Sequence, residues 1–117
     1  MRWEITYYPP SGHRHSPTDY IQSLTNPVEV NIIKRRLETI AQLETHEWPS
    51  GWIKLIIKGV YQLTAGNHRI YFSLDGNKII VVCYACRKVS QKALKSDLER
   101  AEANWASYCK SREHNKP

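Results

Sequence analysis

Eight lysines and arginines fall between Gly51 and Ser96, and Asp75 is the one acid among them. They are Lys54, Lys58, Arg69, Lys78, Arg87, Lys88, Lys92 and Lys95. That segment carries +7 against a whole-chain charge of +6, because residues 1–50 sum to −1 and residues 97–117 to zero. So local a positive field attracts polyanions: RNA, DNA or an acidic protein segment. Arg69 follows the Gly66-Asn67 turn in an otherwise apolar run, where a guanidinium fork can clamp a phosphate bidentately. The competing use for it is an ion pair with Asp75, Glu4 or a helix carboxylate. Arg87, Lys88, Lys92 and Lys95 put four cations into nine residues with no acid before Asp97. Such a run repels itself unless phosphate or another anion is present. Lys54 and Lys58 share parity on an extended run and can track an RNA backbone.

Proton-transfer candidates are fewer. The imidazole of His68 is a side chain of the kind that can serve as acid or base near neutral pH. Adjacent strand residues face opposite ways, however, so His68 and Arg69 are not expected to share a cleft. Tyr84 and Tyr108 are further acid candidates, although Tyr108 also fits a helical core stripe. His13 and His15 have no cysteine or acid beside them and read as a solvated loop. Cys83-Tyr84-Ala85-Cys86 matches a CxxC pattern, but residues three apart on a strand point to opposite faces, so no metal is expected there. With Cys109 the cysteines number three. An odd count without a secretory signal favours reduced thiols and a cytoplasmic location. The longest apolar run, Ile79 to Cys86, falls far short of the ~20 residues a membrane helix needs.

The elements that must position these residues follow from periodicity. Trp3 to Tyr8 reads as a strand stopped by Pro9-Pro10. Ser16-Pro17-Thr18-Asp19 starts a short helix running to about Thr25. Asn26-Pro27-Val28-Glu29, close to a capping box, starts a second. Val30, Ile33, Leu37, Ile40 and Leu43 give that helix its apolar stripe. From Trp52 the period becomes strand-like, with runs 52–57, 60–65, 68–74 and 78–87 separated by short, Gly-containing turns. Connections this short require antiparallel neighbours. Ile79 to Cys86 is apolar on both parities and should be a central, doubly covered strand. A last helix starts around Ser90 to Leu94, with Leu98, Ala101, Trp105 and Tyr108 on its stripe, and residues 110–117 read as a frayed tail. The expected fold is one α+β domain over residues 1–117: an antiparallel β-meander with an N-terminal strand, a helical hairpin and a C-terminal helix.

With the elements in order, the chain resembles the RelE/ParE superfamily, the toxic partners of type II toxin–antitoxin pairs. The resemblance is carried by Lys58-Gly59-Val60-Tyr61-Gln62-Leu63, then Gly66-Asn67-His68-Arg69-Ile70-Tyr71-Phe72, then Asp75-Gly76-Asn77-Lys78-Ile79-Ile80-Val81-Val82. Arg87-Lys88-Val89-Ser90-Gln91-Lys92 stands where the family has a basic run, and the paired helices extend the likeness over nearly the whole chain. The phage-derived HigB/RelE-like branch is the most similar. What the resemblance implies is a toxin: either a ribosome-dependent mRNA endoribonuclease that needs no metal or small-molecule cofactor, or a ParE-like inhibitor of DNA gyrase without nuclease chemistry. Either would be silenced by a cognate acidic antitoxin. Arg69 matches the family's near-constant arginine, and Arg87 and Lys88 match the basic run at the mouth of its cleft. Lys54, Lys58, Lys92 and Lys95 would contact RNA, and His68 takes a place usually held by tyrosine. Gln62 and Thr64 depart from the family, standing where its nucleases often carry basic side chains.

Overall fold

Helix and strand boundaries follow the capping and turn chemistry of the chain. The computed structural model describes residues 2–57 and 59–114, an α+β arrangement of three α-helices and one mixed five-stranded sheet. The order is β1 (Glu4–Tyr7), α1 (Pro17–Ser23), α2 (Pro27–Gln42), one 3-10 turn (Thr45–Glu47), β2 (Ile53–Ile57), β3 (Val60–Ala65), β4 (His68–Asp75), β5 (Ile79–Arg87) and α3 (Lys95–His114). Ser16 caps α1 by accepting from the Asp19 amide at 3.4 Å, and Asn26 caps α2 by accepting from the Val28 amide at 2.9 Å. Glu29 does not close the capping box its spacing suggests; its carboxylate goes to His68 and Arg87 instead.

Two boundaries at the C-terminal end differ from the sequence expectation. Helix α3 begins at Lys95, just past the expected range, and ahead of it the Ser90 and Gln91 carbonyls accept from the Arg69 guanidinium at 2.6 and 2.9 Å. Residues 110–114 are helical rather than frayed, and residues 115–117 lie outside the described residues. Tyr108 donates to Asp75 Oδ2 at 2.6 Å and Arg112 pairs with the same carboxylate, which extends the docking of α3 towards its end.

The sheet runs β1-β5-β4-β3-β2. Strands β2 to β5 each pair antiparallel with a sequence neighbour, while β1 pairs parallel to β5. The Gly66-Asn67 turn needs its glycine, since Gly66 has φ +60°. On one face, Ile33, Leu37 and Ile40 of α2 and Ile21 of α1 pack with Trp3 against Leu63, Ile70, Phe72, Ile80 and Val82. On the other, Leu98, Ala101 and Trp105 of α3 meet Val60, Tyr71, Cys83 and Tyr84. Each buried aliphatic or aromatic side chain contributes about 1.5–3 kcal/mol. α1 packs chiefly on β5 and α2 on β1 and β3, rather than the two helices chiefly on each other. No helix among the described residues is long and apolar enough to cross a membrane.

Candidate nucleic-acid interface

Strand parity decides what Arg69 can reach. In β4, Ile70 and Phe72 join the core under α1 and α2, so Arg69, Tyr71 and Ser73 face α3. Arg69 lies opposite Thr64 on one side and Cys86 on the other. It is only 3% exposed, and its Nη2 donates to the Ser90 and Gln91 carbonyls. Its Nε has no hydrogen-bond partner, and no carboxylate stands within 4.0 Å of it among the described residues. A buried guanidinium held by two neutral carbonyls is left with charge to satisfy, a costly state in a folded chain. The ion pair with Asp75 or Glu4 that would have made Arg69 purely structural is not formed.

The same side of the sheet holds a cleft of about 440 Å³. Lys54, Leu55 and Ile56 of β2 form one wall; Gln91, Lys92, Ala93 and Leu98 form the other; Gln62 and Arg69 complete the lining. Three cations therefore share it, with apolar side chains between them. Gln62 is 9% exposed, and its Oε1 also lacks a partner. Among the described residues, the buried side-chain atoms left unpaired are Gln62 Oε1, Arg69 Nε, Tyr71 hydroxyl and Ser73 Oγ. Residues 69, 71 and 73 alternate along β4, and Gln62 lies opposite Tyr71, so all four occupy one face of the sheet. Among the described residues the opposite face, packed under α1 and α2, has no such atom.

The other candidates are dispersed. His68 is 1% exposed on the opposite face, where Nδ1 meets the Tyr20 hydroxyl at 2.7 Å and Nε2 meets Glu29 Oε1 at 3.1 Å. A carboxylate only accepts, so Nε2 carries the proton in that contact. Arg87 lies opposite His68 and reaches the same Glu29 oxygen at 3.5 Å, so it does not join Arg69 in one cleft. Lys88 is an exposed connection residue whose amide donates to the Asn67 carbonyl at 2.6 Å. Lys95 opens α3 and faces Glu99 at 3.9 Å in solvent. Lys58 lies outside the described residues. Of the positively charged candidates, Arg69, Lys54 and Lys92 come together.

The tyrosines are engaged elsewhere. Tyr84 donates to Asp97 Oδ1 and accepts from Arg100 Nη1, both at 3.2 Å, and burial raises its pKa. Burial, with the hydrogen bond Tyr108 donates to Asp75, pushes Tyr108 up to about 12. Neither lines the Arg69 cleft. The parity reading of Cys83 and Cys86 needs correction. Between the Tyr71–Tyr84 and Phe72–Val82 pairs Cys83 is an extra residue, and this bulge turns both cysteines into the α3-side cluster. Burial pushes both thiols up to about 12. Among the described residues no group of three or more His, Cys, Asp or Glu side chains is placed to hold a metal.

Sequence reasoning took Gln62 for a missing cation rather than a cleft residue, although its parity with Thr64 already put it on the Arg69 face. It missed the partnership of Tyr20 and Glu29 with His68, which joins residues 48 and 39 positions apart and leaves no local signal. A scan of known protein-family models and a search of curated proteins find no match to this chain.

Proposed function

We propose that the chain is a RelE/ParE-like toxin that binds mRNA phosphates in the Arg69 cleft and cleaves the strand, stopping translation in the cytoplasm. One observation carries this reading: a guanidinium 3% exposed, with no carboxylate within 4.0 Å among the described residues, in a cleft whose other cations are Lys54 and Lys92. A phosphodiester supplies the negative charge that the fold leaves out. On entry it would take up donors of Arg69 that now serve the Ser90 and Gln91 carbonyls. In cleavage, the ribose 2′-oxygen forms a bond to phosphorus as the bond from phosphorus to the 5′-oxygen breaks. One proton leaves the 2′-hydroxyl, one reaches the departing 5′-oxygen, and a 2′,3′-cyclic phosphate remains. Arg69 stabilises the charge that builds on the phosphorane. Lys54 and Lys92 are the other titratable residues lining the cleft; the step needs one of them as a free amine to take the 2′-proton and the other as an ammonium to give a proton to the 5′-oxygen. An acidic antitoxin would silence the protein by covering the same cations.

A second reading has its own support. Gln62 stands on the cleft face where a base is wanted, and an amide cannot take the proton. His68 is held on the opposite face. A ParE-like inhibitor of DNA gyrase needs only the binding surface.

Adding the purified chain to a translation extract and mapping RNA ends separates the readings. Cut mRNA is expected under the first. Whole mRNA with undisturbed translation contradicts it, and whole mRNA with a DNA-damage response in induced cells favours the second.

A further inference from the structure

Gln62 presents an unusual chemical request. A buried amide oxygen normally has a donor, because leaving it without one costs the desolvation of the group. Gln62 Oε1 has none among the described residues, although the side chain is 9% exposed and lines the same cleft as Arg69. Gln62 lies opposite Tyr71 and Thr64 lies opposite Arg69, so Gln62 and Arg69 are diagonal neighbours on one sheet face. Diagonal positions are about 7–8 Å apart, a distance that long side chains close. The cleft wall thus holds an unpaired acceptor beside an unpaired cationic donor. Both atoms are buried beneath its surface together with the unpaired Tyr71 hydroxyl opposite Gln62, so a side-chain turn must bring Oε1 to a ligand. Its ligand should carry the complement: a donor hydroxyl close to an anion.

We propose that Gln62 is the specificity residue of this cleft, accepting a hydrogen bond from the ribose 2′-hydroxyl next to the phosphate held by Arg69. RNA carries that hydroxyl beside every internucleotide phosphate, and DNA lacks it. The role is positioning and selection, because an amide cannot remove the proton. A site with a buried acceptor rejects the analogue that leaves it unpaired. This inference rests on the reading of the Arg69 cleft as an RNA phosphodiester site and adds to it the residue that senses the 2′-hydroxyl.

The test is fluorescence anisotropy with labelled oligouridylate, its 2′-deoxy counterpart and its 2′-fluoro counterpart, which keeps an electronegative atom but cannot donate. The wild-type chain should bind the ribo form about tenfold or more tightly than either analogue. Gln62→Leu should bind all three alike, at the affinity the wild type shows for the deoxy form. The analogues put the chemical change on the ligand, so the comparison holds even where the Leu variant folds poorly. Equal wild-type affinity for all three, with Arg69→Ala weakening each, overturns the role of Gln62 and leaves the phosphate site standing. Equal affinity untouched by Arg69→Ala overturns both.

Discussion

His68 and Arg69 are neighbours in β4, yet they face opposite sides of the sheet and stand in opposite electrostatic conditions. His68 is closed in by the Tyr20 hydroxyl and the Glu29 carboxylate. Arg69 has two backbone carbonyls and an idle Nε. One residue of separation divides a satisfied structural group from an unsatisfied one, and this contrast sets what each substitution should do.

Arg69→Met should leave the chain folded and within about 1 kcal/mol of wild-type stability, because a buried charge without a counter-charge is replaced by apolar bulk. The Ser90 and Gln91 carbonyls it releases lie in an exposed connection where water can replace the guanidinium. Urea unfolding measures this. A loss above about 3 kcal/mol would mark Arg69 as a structural residue.

His68→Ala should lower stability by about 2–4 kcal/mol, through lost packing and the unpaired Tyr20 and Glu29 groups. At temperatures where the variant is folded, its affinity for RNA should match wild type. A variant that stays stable while losing RNA binding would return His68 to the list of site residues.

Salt should reveal how many cations meet phosphate. Arg69, Lys54 and Lys92 line the cleft, and three contacts to single-stranded RNA give a log–log slope of about −2. Lys92→Ala should flatten it by about 0.7. Arg87→Ala and Lys95→Ala, whose partners are Glu29 and Glu99, should leave it unchanged. If Arg87 or Lys95 alters the slope as Lys92 does, the bound surface is wider than the cleft.

Alkali should unfold the protein early. Burial pushes the Cys83 and Cys86 thiols up to about 12, from an ordinary value of 9.0. A raised folded-state value favours the protonated form, so this stability is complete below about pH 9 and is lost as pH rises towards 12. Tyr20, pushed up to about 12 by burial, acts in the same direction from its own ordinary value of 10.0. Urea midpoints should fall steadily above pH 9, and Cys86→Ala should reduce that fall. A flat profile to pH 11 would mean that the thiols are not sealed as the packing indicates.

Local chemistry made much of the fold readable. The Ser16 and Asn26 caps, the Ile33-Leu37-Ile40 stripe and the turns after β3 and β4 each act within a few residues, so spacing reveals them. Charge segregation pointed to residues 51–96, and three cations of that segment, Lys54, Arg69 and Lys92, line one cleft. Composition could not say which cations converge: Arg87 and Lys92 are five positions apart, yet Arg87 faces Glu29 and Lys92 lines the cleft. The Cys83 bulge inverted a parity argument that was sound for a regular strand. The hold of Arg69 on the Ser90 carbonyl, 21 residues along the chain, is a tertiary contact with no local trace.

The central claim is that Arg69 seats a phosphate. Its most direct test compares wild type and Arg69→Met for affinity towards a short single-stranded RNA, with circular dichroism confirming that both are folded. Losing a buried charged contact should weaken binding by about 100-fold. Equal affinity in a folded variant would contradict the claim.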